Sequence, residues 1–319
     1  MPELSVIITV FNEEELIFDL YQRLGLALTG VTPDYELIFV NDGGSALLQN
    51  RIENLCQKDQ KIKYIQLSRN FGHQVAVCAR LDYCKGRAVV VMDGDLQDPP
   101  EVIPELYQKF SEGFDVVYAR RVKRKGESLF KRGTAGIFYR LLKSITSIDI
   151  PVDTGDFRIM NRRIVDELKR MPERSKFLRG QIAWLGFRQT FVNFERDCRQ
   201  AGKTTYSLGK MVKFSLDGIT AFSDVPLKLV TFLGLFISFA AFLIILYALY
   251  SHFWIHRTVT GWTSLIISSA FLGGIQLLSI GILGEYISRI SVDVRRRPLY
   301  VVSGTNMDDS RMRKENNDF

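Results

Sequence analysis

A mainly parallel α/β domain followed by two membrane-crossing helices is the architecture that this 319-residue sequence predicts. Three observations carry that expectation. Strand and helix patterns alternate from Leu4 to Asp98, and each strand runs into a polar or acidic turn. Two long uncharged runs follow Pro226. The residues at the strand ends, Asn12, Glu13, Asp42, Asp93 and Asp95, would meet at one edge of a parallel sheet, the edge where such sheets bind ligands.

The first strand pattern, Leu4-Ser5-Val6-Ile7-Ile8-Thr9-Val10, leads through Phe11-Asn12-Glu13-Glu14 into a helical pattern that ends near Leu28. A second strand over 35–40 ends in Asn41-Asp42-Gly43-Gly44 and precedes a helix to about Gln57. The third, Ile62–Leu67, passes through Ser68-Arg69-Asn70-Phe71-Gly72 into a helix ending near Lys85-Gly86. The fourth, over 88–92, is a β-branched run that opens onto Asp93-Gly94-Asp95. Units of this kind imply parallel strands with helices on both faces. A dinucleotide-binding domain would need G-x-G-x-x-G after its first strand, and neither that pattern nor a P-loop is present.

The Asp93-Gly94-Asp95 segment carries the chemistry. Alternate residues of an extended chain share a face, so both carboxylates reach the same side, and Gly94 lets the backbone approach what they hold. Two hard oxygen donors at a strand end suit Mg²⁺ or Mn²⁺ carrying a diphosphate, with Gln97 or Asp98 as a third ligand. Read alone, the same segment is an acidic turn, with Pro99-Pro100 starting the next helix.

Residues 229–250 carry no charge over 22 positions, enough for a helix to cross a hydrocarbon core of about 30 Å. A second uncharged run spans 262–284. The link between them holds a single Arg257, whereas Lys203, Lys210, Lys213 and Lys228 precede the first run, and Arg289, Arg295, Arg296 and Arg297 follow the second. That asymmetry places both termini and the catalytic domain in the cytoplasm. The predicted organisation is a catalytic domain over 1–205, amphipathic interfacial helices over 206–225, a transmembrane hairpin over 226–288 and a basic cytosolic tail over 289–319. Gly273, Gly274, Gly281 and Gly284 suit close helix packing and a homo-oligomer.

The formal charge of +7 admits phosphorylated ligands and an anionic membrane face. No cluster of Lys or Arg interleaved with aromatics matches a nucleic-acid module, so nucleic acid is not an expected partner. The four cysteines form no C-x-x-C pair, which argues against zinc and fits buried thiols in a reducing compartment. No signal-peptide pattern precedes the first strand.

Several motifs taken together resemble inverting GT-A glycosyltransferases of the dolichyl-phosphate mannose synthase and bacterial polyprenyl-phosphate glucosyltransferase family. They are Val10-Phe11-Asn12-Glu13-Glu14, Val40-Asn41-Asp42-Gly43, Arg69-Asn70-Phe71-Gly72, Asp93-Gly94-Asp95-Leu96-Gln97-Asp98-Pro99-Pro100 and Asp153-Thr154-Gly155-Asp156-Phe157-Arg158. Ile282-Leu283-Gly284-Glu285-Tyr286 and Arg297-Pro298-Leu299-Tyr300 extend the likeness into the membrane part. The resemblance implies transfer of one hexose from a nucleotide sugar, UDP-glucose by preference, to a membrane polyprenyl phosphate.

It also implies roles. Phe11, Glu13 and Asp42 would hold the nucleoside; Asp93, Asp95 and Gln97 the metal; Arg120 and Arg132 the acceptor phosphate; Arg199 and Lys203 the diphosphate. Asp95 thereby acts on the leaving group. Asp156 would orient the acceptor or serve as a base, or else pair structurally with Arg158. His73 reads either as a diphosphate contact or as a satisfied histidine at a helix start. The lipid phosphate is already anionic, so positioning and charge neutralisation should outweigh proton abstraction. Three departures from the family pattern stand out: Thr9 in place of proline, Gly44-Ser45-Ala46-Leu47 after Asp42-Gly43, and Thr205 in place of lysine. The competing readings are a processive polysaccharide synthase, whose Gln-x-x-Arg-Trp motif is missing at Gly180-Gln181-Ile182-Ala183-Trp184, and a catalytically silent anchor or flippase partner.

Overall fold

Every strand that the sequence predicts is built into one sheet, and helices cover both of its faces. The computed structural model describes residues 1–121, 154–194, 223–250 and 261–307. In chain order the elements are β1 (Leu4–Val10), α1 (Ile17–Thr29), β2 (Tyr35–Asn41), α2 (Ala46–Lys58), β3 (Ile62–Leu67), α3 (His73–Tyr83), β4 (Ala88–Asp93), α4 (Ile103–Ser111) and β5 (Val116–Arg121). Then come β6 (Thr154–Asn161), α5 (Arg162–Arg170), α6 (Leu178–Trp184), β7 (Gln189–Phe194), α7 (Val225–Tyr250), α8 (Trp262–Val294) and β8 (Val302–Thr305).

The strand order is β7-β5-β6-β4-β1-β2-β3-β8. β1 pairs in parallel with both β2 and β4, and β2 with β3. The registers Val10↔Asn41 and Thr9↔Asp93 set the carboxyl ends of β1, β2 and β4 level, so their loops share one edge. Period-2 alternation divides the side chains of β1. Leu4, Val6, Ile8 and Val10 join the core under α1, α2 and α4, while Ile7 joins the core under α3, α5 and α6. Side chains cap the starts of α2 and α5: Ser45 Oγ accepts from Leu48 N at 3.2 Å, and Asn161 Oδ1 from Ile164 N at 2.9 Å.

Two features go beyond the predicted βα repeats. β6 runs antiparallel to β4, with Val91 opposite Arg158, and continuing that register brings Asp156 opposite Asp93. The basic tail is not merely a tail. α8 continues through Val294, and β8 then pairs antiparallel with β3 at Ile65↔Thr305 and Leu67↔Val302. The return is pinned by Arg174 N to Asp293 Oδ1 at 2.8 Å, Tyr300 Oη to Asp82 Oδ2 at 2.8 Å, and Tyr64 N to Asn306 Oδ1 at 2.8 Å. The boundaries drawn at 288 and 289 therefore cut through a continuous helix. Within that helix Glu285 and Arg289 form an ion pair, N to O 3.5 Å, at i,i+4 spacing.

α7 and α8 are each long and apolar enough to cross a membrane. Their apolar side chains face outward: Phe232 is 71% and Leu277 72% exposed, which a water-facing helix pair would not sustain. Tyr286 Oη donates to the Ser223 carbonyl at 2.8 Å, tying α8 to the residues just before α7. The interfacial helices expected over 206–225 lie outside the described residues as far as 222, as does the link over 251–260.

Candidate active site

The first loop folds on its own carboxylate. Glu13 Oε2 accepts from Phe11 N at 2.6 Å and Asn12 N at 3.0 Å, leaving the Phe11 ring 37% exposed. Burial pushes the Glu13 carboxyl above its usual range despite those two bonds, and the charges of Asp95 and Asp93 add to the rise. Glu13 therefore faces the acidic end of β4.

Asp42 is buried at the end of β2 and grips the neighbouring loop. Its oxygens accept from Phe71 N at 2.8 Å and Gly72 N at 3.1 Å. Burial raises its carboxyl, and these two donors oppose the rise. Gly43 makes the grip possible. Its φ is +73°, and a Cβ there would lie 2.4 Å from both Arg69 C and Asn70 N.

At the end of β4, Gly94 N donates to Thr9 O at 2.9 Å, and a Cβ on Gly94 would stand 2.6 Å from Val10 Cγ1. The approach of β1 by itself requires a glycine here. Asp95 Oδ1 accepts from Gln97 N at 3.1 Å, closing a tight turn. Leu96 sits inside that turn, buried, with φ +56°. An L-residue in that region costs on the order of 1–2 kcal/mol, so surrounding contacts hold the turn in place. Gln97 and Asp98 are also buried. Asp98 is paired with Arg121 Nη2 at 3.2 Å and burial pushes its carboxyl up to about 6.

Asp93 Oδ1 is sealed from solvent and accepts no hydrogen bond from the described residues; His73 Nδ1 stands 3.6 Å away. The other face of the same imidazole reaches Asp156, with Nε2 at 2.7 Å from Oδ2. Asp156 Oδ1 accepts from Arg158 Nη2 at 2.6 Å and Arg179 Nε at 3.2 Å. Burial alone would raise the Asp156 carboxyl, but Arg179, His73 and Arg158 outweigh it and hold it well below the usual carboxylate range. A carboxylate so occupied is a weak base. The geometry favours the structural pairing with Arg158 over proton abstraction.

The acidic edge suits a hard divalent cation. Asp93 and Asp95 are oxygen donors on one turn, and the unpaired Oδ1 of Asp93 has no protein donor to satisfy it. Among the described residues no three His, Cys, Asp or Glu side chains form a ready cage. That donor count matches Mg²⁺-type sites, in which a carboxylate or two share the ion with water and substrate phosphates.

Residues 5–169 match the family described as Glycosyl transferase family 2. The chain is 49% identical over 298 residues to a Bacillus subtilis protein named "Uncharacterized glycosyltransferase YkcC", covering 93% of this chain and 92% of that one. It is 38% identical over 300 residues to the "SfII prophage-derived bactoprenol glucosyl transferase" of Shigella flexneri, covering 94% and 97% of the two chains. To the "Prophage bactoprenol glucosyl transferase homolog" of Escherichia coli K12 it is 37% identical, with 94% and 98% covered. This protein belongs to glycosyl transferase family 2.

The sheet is accordingly that of a GT-A glycosyltransferase, and the acidic edge is where the sequence analysis expected the donor site. Glu13, Asp42, Asp93 and Asp95 do come together there, with Phe11 exposed beside them. Arg120 is held elsewhere: its Nε donates to Asn193 Oδ1 at 2.9 Å and its guanidinium stacks 3.5 Å from the Phe191 ring centroid. Neighbouring residues of a strand face opposite sides, and it is Arg121 that this glycosyltransferase joins to the acidic segment. Arg132, Arg199 and Lys203 lie outside the described residues.

His73 is hydrogen-bonded to Asp156 at the start of α3, whereas Arg80 and Arg179 were not among the expected site residues. The spacing offered one signal: His73 and Arg80 are seven residues apart on α3 and so share a helix face toward the sheet. Burial pushes the Cys56 thiol up to about 11 and the Cys78 thiol up to about 12, in line with inert, reduced cysteines.

Proposed function

We propose that this family 2 glycosyltransferase moves a single glucose from UDP-glucose to a membrane polyprenyl phosphate, with inversion at the sugar carbon. One observation carries the reading: 38% identity along 94% of the chain to a protein named as a bactoprenol glucosyl transferase. Two outward-facing apolar helices supply a reason for a lipid acceptor. In this reading both termini and the acidic edge lie on the cytoplasmic side, which the charge asymmetry around the two helices supports.

In this reading Phe11 stacks on the base, while Glu13 and Asp42 accept hydrogen bonds from the nucleoside. Asp93 and Asp95, with Gln97 beside them, hold Mg²⁺ or Mn²⁺. When bound, that ion neutralises charge developing on the departing diphosphate. Arg199 and Lys203 face the same diphosphate. Arg132 receives the acceptor phosphate, whose oxygen is the nucleophile; Arg120 joins it only by leaving Asn193 and the Phe191 ring. Asp156 orients the acceptor side by fixing Arg158, Arg179 and His73 in place. The glycines of α8 pack helices in a homo-oligomer.

The test is a donor screen with purified full-length protein, undecaprenyl phosphate and Mg²⁺ or Mn²⁺. UDP-glucose should give one glucosyl-lipid product, of inverted anomeric configuration by NMR. Excess chelator and Asp95→Asn should each abolish it. Full turnover in chelator would sink the metal assignment, and a polymeric product would sink single transfer.

A further inference from the structure

Arg80 is fully buried in the middle of α3, where an arginine needs a strong reason to be. Its Nη1 donates to the carbonyls of Ile7 and Met92, each at 3.1 Å. Met92 immediately precedes Asp93, so this fork ties β1 to β4 directly below the carboxylate pair. Nε and Nη2 are sealed from solvent and have no hydrogen-bond partner among the described residues. Two idle donors on a buried cation carry a heavy desolvation penalty, which only nearby negative charge can offset. Burial draws the guanidinium down to about 10, and Asp93 first, then Asp156, oppose that fall, so Arg80 stays charged at neutral pH.

The charge balance of the edge makes the same point. Glu13, Asp42, Asp93, Asp95, Asp98 and Asp156 are its carboxylates. Arg121 is occupied by Asp98, and Arg158 and Arg179 by Asp156. Among the described residues Asp93 has no guanidinium of its own at hydrogen-bond distance; His73 stands 3.6 Å away and Arg80 lies beneath.

We infer that Arg80 is a positioning residue, a built-in counter-charge beneath Asp93 that keeps the carboxylate pair in place without metal and weakens its hold on a free divalent cation. The inference rests on the metal assignment made under the proposed function. Removing a unit positive charge this close to the pair should tighten Mn²⁺ binding by about tenfold, since the field of a buried charge is poorly screened.

The experiment titrates Mn²⁺ into the full chain in detergent, following free Mn²⁺ by EPR and the rise in Tm. Arg80→Met is expected to bind Mn²⁺ about tenfold more tightly than wild type, to melt lower without metal, and to gain more Tm from it. Arg80→Lys, which keeps the charge, should bind Mn²⁺ as wild type does. Unchanged or weaker binding in folded Arg80→Met would overturn the inference and leave Arg80 a strap between strands. If Arg80→Met does not fold, Arg80→Gln decides by the same readouts. Should both neutral variants be recovered unfolded, refolding on Mn²⁺ addition supports the inference and failure to refold overturns it. Asp93→Asn separates the two readings. If wild type binds no Mn²⁺, or Asp93→Asn binds it equally well, the metal assignment itself fails.

Discussion

Replacing Asp156 by asparagine separates a structural carboxylate from a reacting one. The carboxylate holds Arg158 at 2.6 Å, His73 at 2.7 Å and Arg179 at 3.2 Å, and is only 8% exposed. Removing one partner of a buried ion pair costs about 3–5 kcal/mol, because the remaining charge is left uncompensated. For a domain of this size each kcal/mol moves Tm by roughly 2–4 °C, so Asp156→Asn should melt about 6–20 °C lower at neutral pH. The pH dependence has a definite sign. The folded-state value is depressed, so the stabilisation is fully present above the unfolded carboxylate value of about 3.9 and fades as pH falls through the folded one. Wild type and variant should therefore converge in strong acid. The assay is thermal unfolding of the detergent-solubilised chain followed by near-UV circular dichroism, from neutral pH downward. A variant melting within about 2 °C of wild type, yet devoid of glycosyl transfer, would refute the structural reading and make Asp156 a reacting group.

Three further outcomes are expected. Gly43→Ala should destabilise by more than about 1 kcal/mol and raise the KM for the nucleotide sugar, because its Cβ meets the Arg69–Asn70 backbone at 2.4 Å; unchanged thermal melting would contradict the close approach. Asn306→Ala should release β8, with hydrogen exchange at the Tyr64 amide accelerating first, since Asn306 Oδ1 is its acceptor at 2.8 Å. The full chain should remain in the membrane pellet after alkaline carbonate extraction, as expected for two spanning helices; release into the supernatant would argue for surface attachment.

The parallel half of the sheet was legible because its signal is local. Strands β1 and β3 fall at the residues that hydrophobic runs and turn chemistry mark, and each strand end carries its own polar residue. The donor edge was readable for the same reason: parallel βα units must deliver the carboxyl ends of β1, β2 and β4 together. The antiparallel insertion of β6 was not legible. A strand that is buried on both faces reads the same in either direction, and only its pairing with β4 sets its sense. β8 escaped notice because a four-residue edge strand behind a basic stretch has too few residues to show a period.

What the sequence by itself determined is the class of chemistry. Asp93 and Asp95 on one turn, a polar residue at each neighbouring strand end and two apolar runs point to a metal and diphosphate edge in a chain with two candidate membrane spans, and the resemblance of its motifs to a known family adds glycosyl transfer. Tertiary structure alone decided how those carboxylates are balanced. It set Asp156 opposite Asp93, placed His73 between them, committed Arg121 to Asp98, and drove Arg80 beneath the pair. Coulomb interaction depends on distance and burial, and neither is written in residue order. Residues 63 positions apart, such as Asp93 and Asp156, share a field only after the sheet has formed.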